Sequence, residues 1–239
     1  MTPHHRASTG RGVVVTGGSS GIGRAIAEAF VANGDRVVVL DRAGTDIDAI
    51  IVDVAQEDSV RAAFATARQR LGTIDVLVNS AGLLTESPLQ DMTLAMWNET
   101  LSVDLTGVFL CCREVVGEMR QQKWGRIINI ASQLAIKGGT GLSHYSAAKA
   151  GVVALTKSLA LEVASDNVLV NSIAPGPIET PLVQGISEDW KSAKRAELPL
   201  RRFGVAAEVA PTALLLASEP GGNLYVGQTL GPNSGDVMQ

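Results

Sequence analysis

Short runs of β-branched residues, apolar from end to end, alternate along this chain with longer segments of helical period. "GVVVT" precedes "GIGRAIAEAFVANG", in which Ile22, Ala25, Ile26 and Ala29 fall on one face, and "RVVVL" follows. The alternation continues through "AIIVDV", the helical "EDSVRAAFATARQRLG", "IDVLVNSAG", a long helix from about Thr93 to Gln121, "GRIINIAS", a helix through Tyr145, and "VLVNSIAP". "AAEVAPTALLLAS" reads as a further helix despite Pro211, and "YVGQTL" as a last strand. A strand without a polar face must be covered on both sides, and helical crossovers make neighbouring strands parallel. The expected fold is therefore α/β, a doubly wound parallel sheet with helices on both faces and its ligands at the carboxyl ends of the strands.

A chain of 239 residues, 46% hydrophobic and 18% charged, is long enough to bury a full core, and no linker forces a second domain. Residues 12–239 are expected to form a single domain behind a flexible tail, 1–11, that includes His4 and His5. The formal net charge of −4 leaves no electrostatic footprint for nucleic acid or an anionic membrane. Cys111 and Cys112, adjacent in an apolar helical stretch, read as buried thiols of a reducing compartment and offer no metal set. "MTPHHRASTGRG" carries positive charge without an apolar core, and no later segment is apolar for 18 residues, so a soluble cytoplasmic protein is expected.

The strand ends hold the chemistry. After the first strand, "TGGSSGIG" places Gly17 where a tight turn is needed, Gly21 where backbone meets a ligand, and Gly23 where helix and strand pack closely. The helix N-terminus that follows faces a pyrophosphate. Asp41, about twenty residues on, suits an adenosine ribose and repels a 2′-phosphate; this favours NAD over NADP, although Arg42 beside it could greet that phosphate. In "SHYSAAKAG", Tyr145 and Lys149 stand four residues apart, on one helix face.

From Val13 onward the chain resembles the short-chain dehydrogenase/reductase family, nearest to its bacterial 3-oxoacyl-carrier-protein reductase-like members. The glycine motif matches at Thr16 to Gly23, Y-x-x-x-K at Tyr145 to Lys149, and the family serine, thirteen residues before the tyrosine, at Ser132. N-x-A-G appears as Asn79-Ser80-Ala81-Gly82, P-G as Pro175-Gly176, and the adenine-bordering pair as Asp53-Val54. The resemblance implies a Rossmann-type fold and an oxidoreductase moving a hydride between a nicotinamide cofactor and a secondary alcohol or ketone. Tyr145 would pass the proton, Ser132 bind the substrate oxygen, and Lys149 lower the tyrosine pKa and hold the nicotinamide ribose. The implied cofactor-binding set is Gly17, Ser20, Gly21, Ile22, Gly23, Asp41, Arg42, Asp53, Val54, Asn79, Ala81, Gly82, Tyr145, Lys149, Pro175, Gly176, Ile178 and Thr180. It further implies a homotetramer: the long central helix and the Tyr145 helix, with Val103, Val108, Phe109, Val152, Val153 and Leu155, pair across a twofold axis, and the last strand forms a second interface.

Two departures stand out. The family's relay asparagine is replaced by Asp104 in "VDLTG", and only eleven residues separate Asp41 from Asp53, too few for a full helix. Residues 177–204 resemble a mobile lid, with Leu182, Val183, Ile186 and Trp190 able to close over a ligand. Leu83, Leu84, Gln133, Leu134 and Leu142 could complete an apolar pocket, which favours a neutral or hydrophobic small-molecule carbonyl or alcohol. A carrier-bound 3-oxoacyl substrate is an alternative, with Arg126 at a docking position but Asp166 and Asn167 where another basic residue is expected. An alternative of another class is a nucleotide-sensing regulator without catalysis.

Overall fold

The structure is a computed structural model, and it describes residues 9–44, 48–183 and 187–238. His4, His5 and Ile186 lie outside the described residues, as does the side chain of Leu182. In chain order the elements are β1 (Gly12–Thr16), α1 (Gly21–Ala32), β2 (Arg36–Asp41), β3 (Ala49–Ile51), α2 (Glu57–Leu71), β4 (Val76–Asn79), α3 (Leu94–Leu101) and α4 (Gly107–Gln122). They continue as β5 (Gly125–Ile130), α5 (Leu134–Lys137), α6 (Ser143–Val163), β6 (Val168–Ile173), β7 (Ile178–Glu179), α7 (Glu188–Glu197), β8 (Gly204–Val205), α8 (Ala206–Ala217) and β9 (Thr229–Leu230). Seven strands form a parallel sheet in the order β3-β2-β1-β4-β5-β6-β9. This is the expected doubly wound arrangement.

Helices α1 and α8 cover one face of the sheet, packing Ile26, Phe30, Val209 and Leu216 against Val13, Val15 and Val78. Helices α2, α4 and α6 cover the other, where Phe64, Val115, Met119 and Val152 meet Val14, Leu77 and Ile127. The central strands are buried along their whole length and largely apolar because helices cover both faces. Strand order reverses between β1 and β4, and the crevice above that point opens at the ends of β1, β4, β5 and β6.

Three details differ from the sequence reading. The long central helix is two helices joined by a π turn, Ser102–Thr106, that carries Asp104; Thr93 caps its start by accepting from the Met96 N–H at 3.2 Å. Gly107, just after the turn, is needed because a Cβ there would lie 3.0 Å from the Val54 side chain. Arg11, assigned to the expected tail, is 3% exposed and pairs with buried Asp35 at 2.8 Å. The last strand is only Thr229–Leu230. Between β2 and β3 the described residues hold no helix, as the short interval demands. Among the described residues no helix is long and apolar enough to cross a membrane, and no group of three His, Cys, Asp or Glu is placed to hold a metal.

Candidate active site

Helix α6 puts Tyr145 and Lys149 one turn apart, with the Lys149 ammonium 5.6 Å from the phenol ring centroid. Lys149 Nζ donates to the Ile130 carbonyl at the end of β5, at 3.1 Å, and stands 3.3 Å from Asp104 Oδ2. Asp104 is fully buried, and its Oδ1 accepts from the Leu83 N–H at 2.8 Å, so the π turn aims the carboxylate across the crevice toward the lysine and not toward solvent. Ser132, just past β5, stands close enough to the Tyr145 hydroxyl to favour its ionised form, and its Oγ accepts from the Leu134 N–H at 3.1 Å. Four polar groups thus converge where the sheet ends, each nine-tenths or more buried.

Burial dominates their electrostatics. It pushes the Tyr145 phenol up, against the opposing pull of the Lys149 ammonium, and the Asp104 charge adds to the rise. Burial works against the Lys149 ammonium too, but the charges of Asp104 and Tyr145 outweigh it and hold the lysine above its ordinary value. Burial also raises Asp104, with Lys149 and the Leu83 N–H pulling it back. An ammonium fixed in charge therefore stands beside a phenol whose proton is firmly held.

These groups form one wall of a cavity of about 1040 Å³. Its other end is built by the glycine loop. Gly17 has φ +65°, and a Cβ there would lie 2.6 Å from the Ala81 backbone nitrogen; a Cβ on Gly23 would lie 2.2 Å from the Gly17 carbonyl oxygen. Only glycine lets loop, β4 and α1 approach this closely. The first amides of α1 have no partner within the helix and open on the cavity, and Ser19 Oγ in the same loop is buried without a partner among the described residues. Asp41 closes that end: its Oδ2 accepts from the Ser19 N–H at 3.0 Å and its Oδ1 from the Arg42 N–H at 2.7 Å. Asp53 accepts from the Ala55 N–H at 3.0 Å and borders the same space with Val54. This donor set fits a dinucleotide, with phosphates at the α1 terminus and a ribose at Asp41.

Of the site residues read from the sequence, Gly17, Ser20, Gly21, Ile22, Gly23, Asp41, Arg42, Asp53, Val54, Ala81, Gly82, Asp104, Ser132, Tyr145, Lys149, Pro175, Gly176, Ile178 and Thr180 all line the cavity. Asn79 does not, and its expected place in the cofactor site is corrected: its side chain turns into the core, donating to Asn129 Oδ1 at 2.9 Å and contacting Cys112 Sγ. Arg126 is likewise no docking residue, because its side chain is fully buried, stacked 4.4 Å from the Trp124 ring centroid and paired with Glu219 at 3.1 Å. The apolar pocket residues Leu83, Leu84, Gln133, Leu134, Leu142, Val183 and Trp190 do line the cavity. The sequence reading missed Ser80 and four charged residues of the rim, Glu86, Lys137, Lys194 and Glu197. For the two on α7 a signal exists, since Trp190, Lys194 and Glu197 share one helix face.

Comparison with known proteins agrees with this geometry. Residues 11–191 match the family model described as short chain dehydrogenase. The chain is 39% identical to a 3-oxoacyl-[acyl-carrier-protein] reductase of Aquifex aeolicus over 88% of its own length and 91% of that protein's. It is 36% identical to the Salmonella typhimurium protein of the same name over 96% and 98%, and 39% identical to a Synechocystis 3-oxoacyl-[acyl-carrier-protein] reductase over 97% and 99%. Among solved structures, that of gox2181 superposes with a TM-score of 0.90 at 30% identity, covering 95% of this chain and 96% of that one. The chain belongs to the short-chain dehydrogenase family, and it is an oxidoreductase that interconverts a ketone and an alcohol with a nicotinamide cofactor.

Proposed function

We propose that the protein reduces a neutral ketone, or oxidises the matching secondary alcohol, with NAD preferred over NADP and with Ser132, Tyr145, Lys149 and Asp104 as its catalytic group. The observation that carries this reading is the convergence of those four side chains on one cavity wall. The nicotinamide supplies or takes the hydride. Ser132 donates to the substrate oxygen, and Tyr145 gives its proton to that oxygen in reduction and takes one back in oxidation. Lys149, kept charged by Asp104, eases loss of the phenol proton; Asp104, held by the Leu83 N–H, fixes where that charge sits.

Substituting Tyr145→Phe should lower kcat by about 10²–10⁴-fold, the usual contribution of a positioned acid–base group, and leave NADH binding intact. Unchanged turnover would remove Tyr145 from the chemistry. NADH binding with no turnover of any ketone by the unmodified protein would favour the nucleotide sensor instead. Cofactor preference rests on Asp41, whose carboxylate both anchors the loop through Ser19 and meets the expected ribose position. Asp41→Ala should shift the kcat/KM ratio toward NADPH by about tenfold or more, as a repelled phosphate becomes free to pair with Arg42. An unmodified protein already preferring NADPH tenfold refutes the NAD reading.

The names of the relatives favour a second reading, a 3-oxoacyl group delivered on a carrier protein. Burial of Arg126 removes one residue on which that docking would rest. Comparing acetoacetyl-carrier protein with ethyl acetoacetate separates the readings: a kcat/KM advantage of about a hundredfold or more for the carrier-bound form selects the second. Buried Cys111 and Cys112 suit a reducing compartment, and the activity is assigned to the cytoplasm.

A further inference from the structure

The outer rim of the cavity is organised by a residue that does not line it. Asp236, near the end of the chain, has a side chain only 9% exposed. Its Oδ2 accepts from Gln133 Nε2 at 2.5 Å and from Lys137 Nζ at 2.7 Å, and its Oδ1 accepts from Lys194 Nζ at 2.9 Å. These donors belong to separate elements of the rim. Gln133 directly follows Ser132 and Lys137 ends α5, whereas Lys194 lies on α7, whose Trp190, Ala193, Lys194 and Glu197 face the cavity. The Gln133 N–H in turn donates to the Pro175 carbonyl at 3.0 Å, so the clamp reaches the ends of both β5 and β6. A carboxylate shielded from solvent between two ammoniums interacts more strongly than an exposed pair. Lys194 also meets Glu197 at 3.0 Å, so both lysines of this part of the rim are paired.

We propose that Asp236 is a positioning and specificity-determining residue of the substrate site. It joins α7 to the residue after Ser132, and it neutralises Lys137 and Lys194 so that the site takes uncharged carbonyl compounds and discriminates against anionic ones. Asp236 acts through Gln133 and the two lysines and touches no reacting atom. The inference rests on the ketone-reductase reading, and its test is built so that the two can fail separately.

Asp236→Asn keeps the size and one acceptor oxygen but removes the charge. It should shift the kcat/KM ratio of acetoacetate to ethyl acetoacetate by about fivefold or more toward the anion, and added salt should erase the gain. Lys194→Met, which cuts only the α7 arm, should give no such gain. Both variants should speed backbone hydrogen exchange in residues 188–197 while leaving β5 protected. A ratio within twofold of the unmodified protein overturns the proposal, even where α7 loosens. If the unmodified protein turns over no ketone, the ketone-reductase reading fails; where it reduces neither of these two compounds, exchange in α7 decides the clamp alone, and unchanged exchange in Asp236→Asn overturns it.

Discussion

Asp104 shows how one carboxylate acts on two neighbours in a buried site. Its carboxylate lies 3.3 Å from Lys149, and its negative charge raises the phenol of Tyr145. Asp104→Asn is nearly isosteric, and the amide oxygen can still accept from the Leu83 N–H. Loss of the charge removes one influence that raises Tyr145, so tyrosinate forms at lower pH. The acidic limb of the kcat/KM profile for alcohol oxidation should therefore move to lower pH, with activity retained. Superimposable profiles would take Asp104 out of the mechanism. The Tyr145–Lys149 pair was legible in the sequence because helical spacing alone stacks the two side chains. The nearness of Asp104 to Lys149 came only from the family resemblance, and their direct pairing was not legible, since it joins residues 45 positions apart across a π turn that no local pattern announces. Asn79 could have been placed correctly: in a strand its side chain shares the face of Leu77, and Leu77 is core.

At the scale of elements, the catalytic helix is tied to the sheet by a buried polar chain. Asn79 Nδ2 donates to Asn129 Oδ1 at 2.9 Å, Asn129 Nδ2 to Thr156 Oγ1 at 2.9 Å, and Thr156 Oγ1 to the Val152 carbonyl at 2.8 Å. It runs from β4 through β5 to α6, two turns from Lys149, in a region where each member is nearly free of solvent. A buried donor left unpaired costs about 1–3 kcal/mol, more than a satisfied hydrogen bond gains. Thr156→Val preserves shape and strands the Asn129 amide, so stability should fall by that amount and Tm by roughly 2–12 °C. Calorimetry checks the stability. A matching decrease in kcat at a temperature where the variant is fully folded would show that the chain also orients α6. The strands and helices were legible because a fully apolar strand and a 3.6-residue period leave few alternatives. The π turn was not, because it breaks the period within one turn; β9 was legible as a strand but not its shortness, because it is held by pairing with β6 and not by a pattern of its own.

At the scale of the whole molecule, the described surface is unfinished in particular places. Val108 and Val152, read from the sequence as interface residues, are core, and Val103, Val153 and Leu155 are partly buried against it. What remains outside on α4 and α6 is Phe109, 43% exposed, and Leu161, 85% exposed; in the segment that leads to the edge strand β9, Leu224 is 94% exposed. Strand β9 pairs only with β6 among the described residues, so its outer edge is open. A homotetramer would cover both regions through two isologous interfaces, in each of which every substitution counts twice. Burying one leucine side chain contributes about 1.5–3 kcal/mol, so an aspartate at each of two symmetric positions forfeits at least about 3–6 kcal/mol per interface before the cost of burying charge. Light scattering of the unmodified protein at micromolar concentration should give about four times the chain mass of 24.9 kDa. Leu224→Asp should halve it by splitting the interface beside β9, and Phe109→Asp should halve it by splitting the other. Combining the two should leave a monomer, because the two faces have no residue in common. A monomer in the unmodified protein refutes the assembly, and a tetramer that survives Leu224→Asp moves the second interface away from the sheet edge.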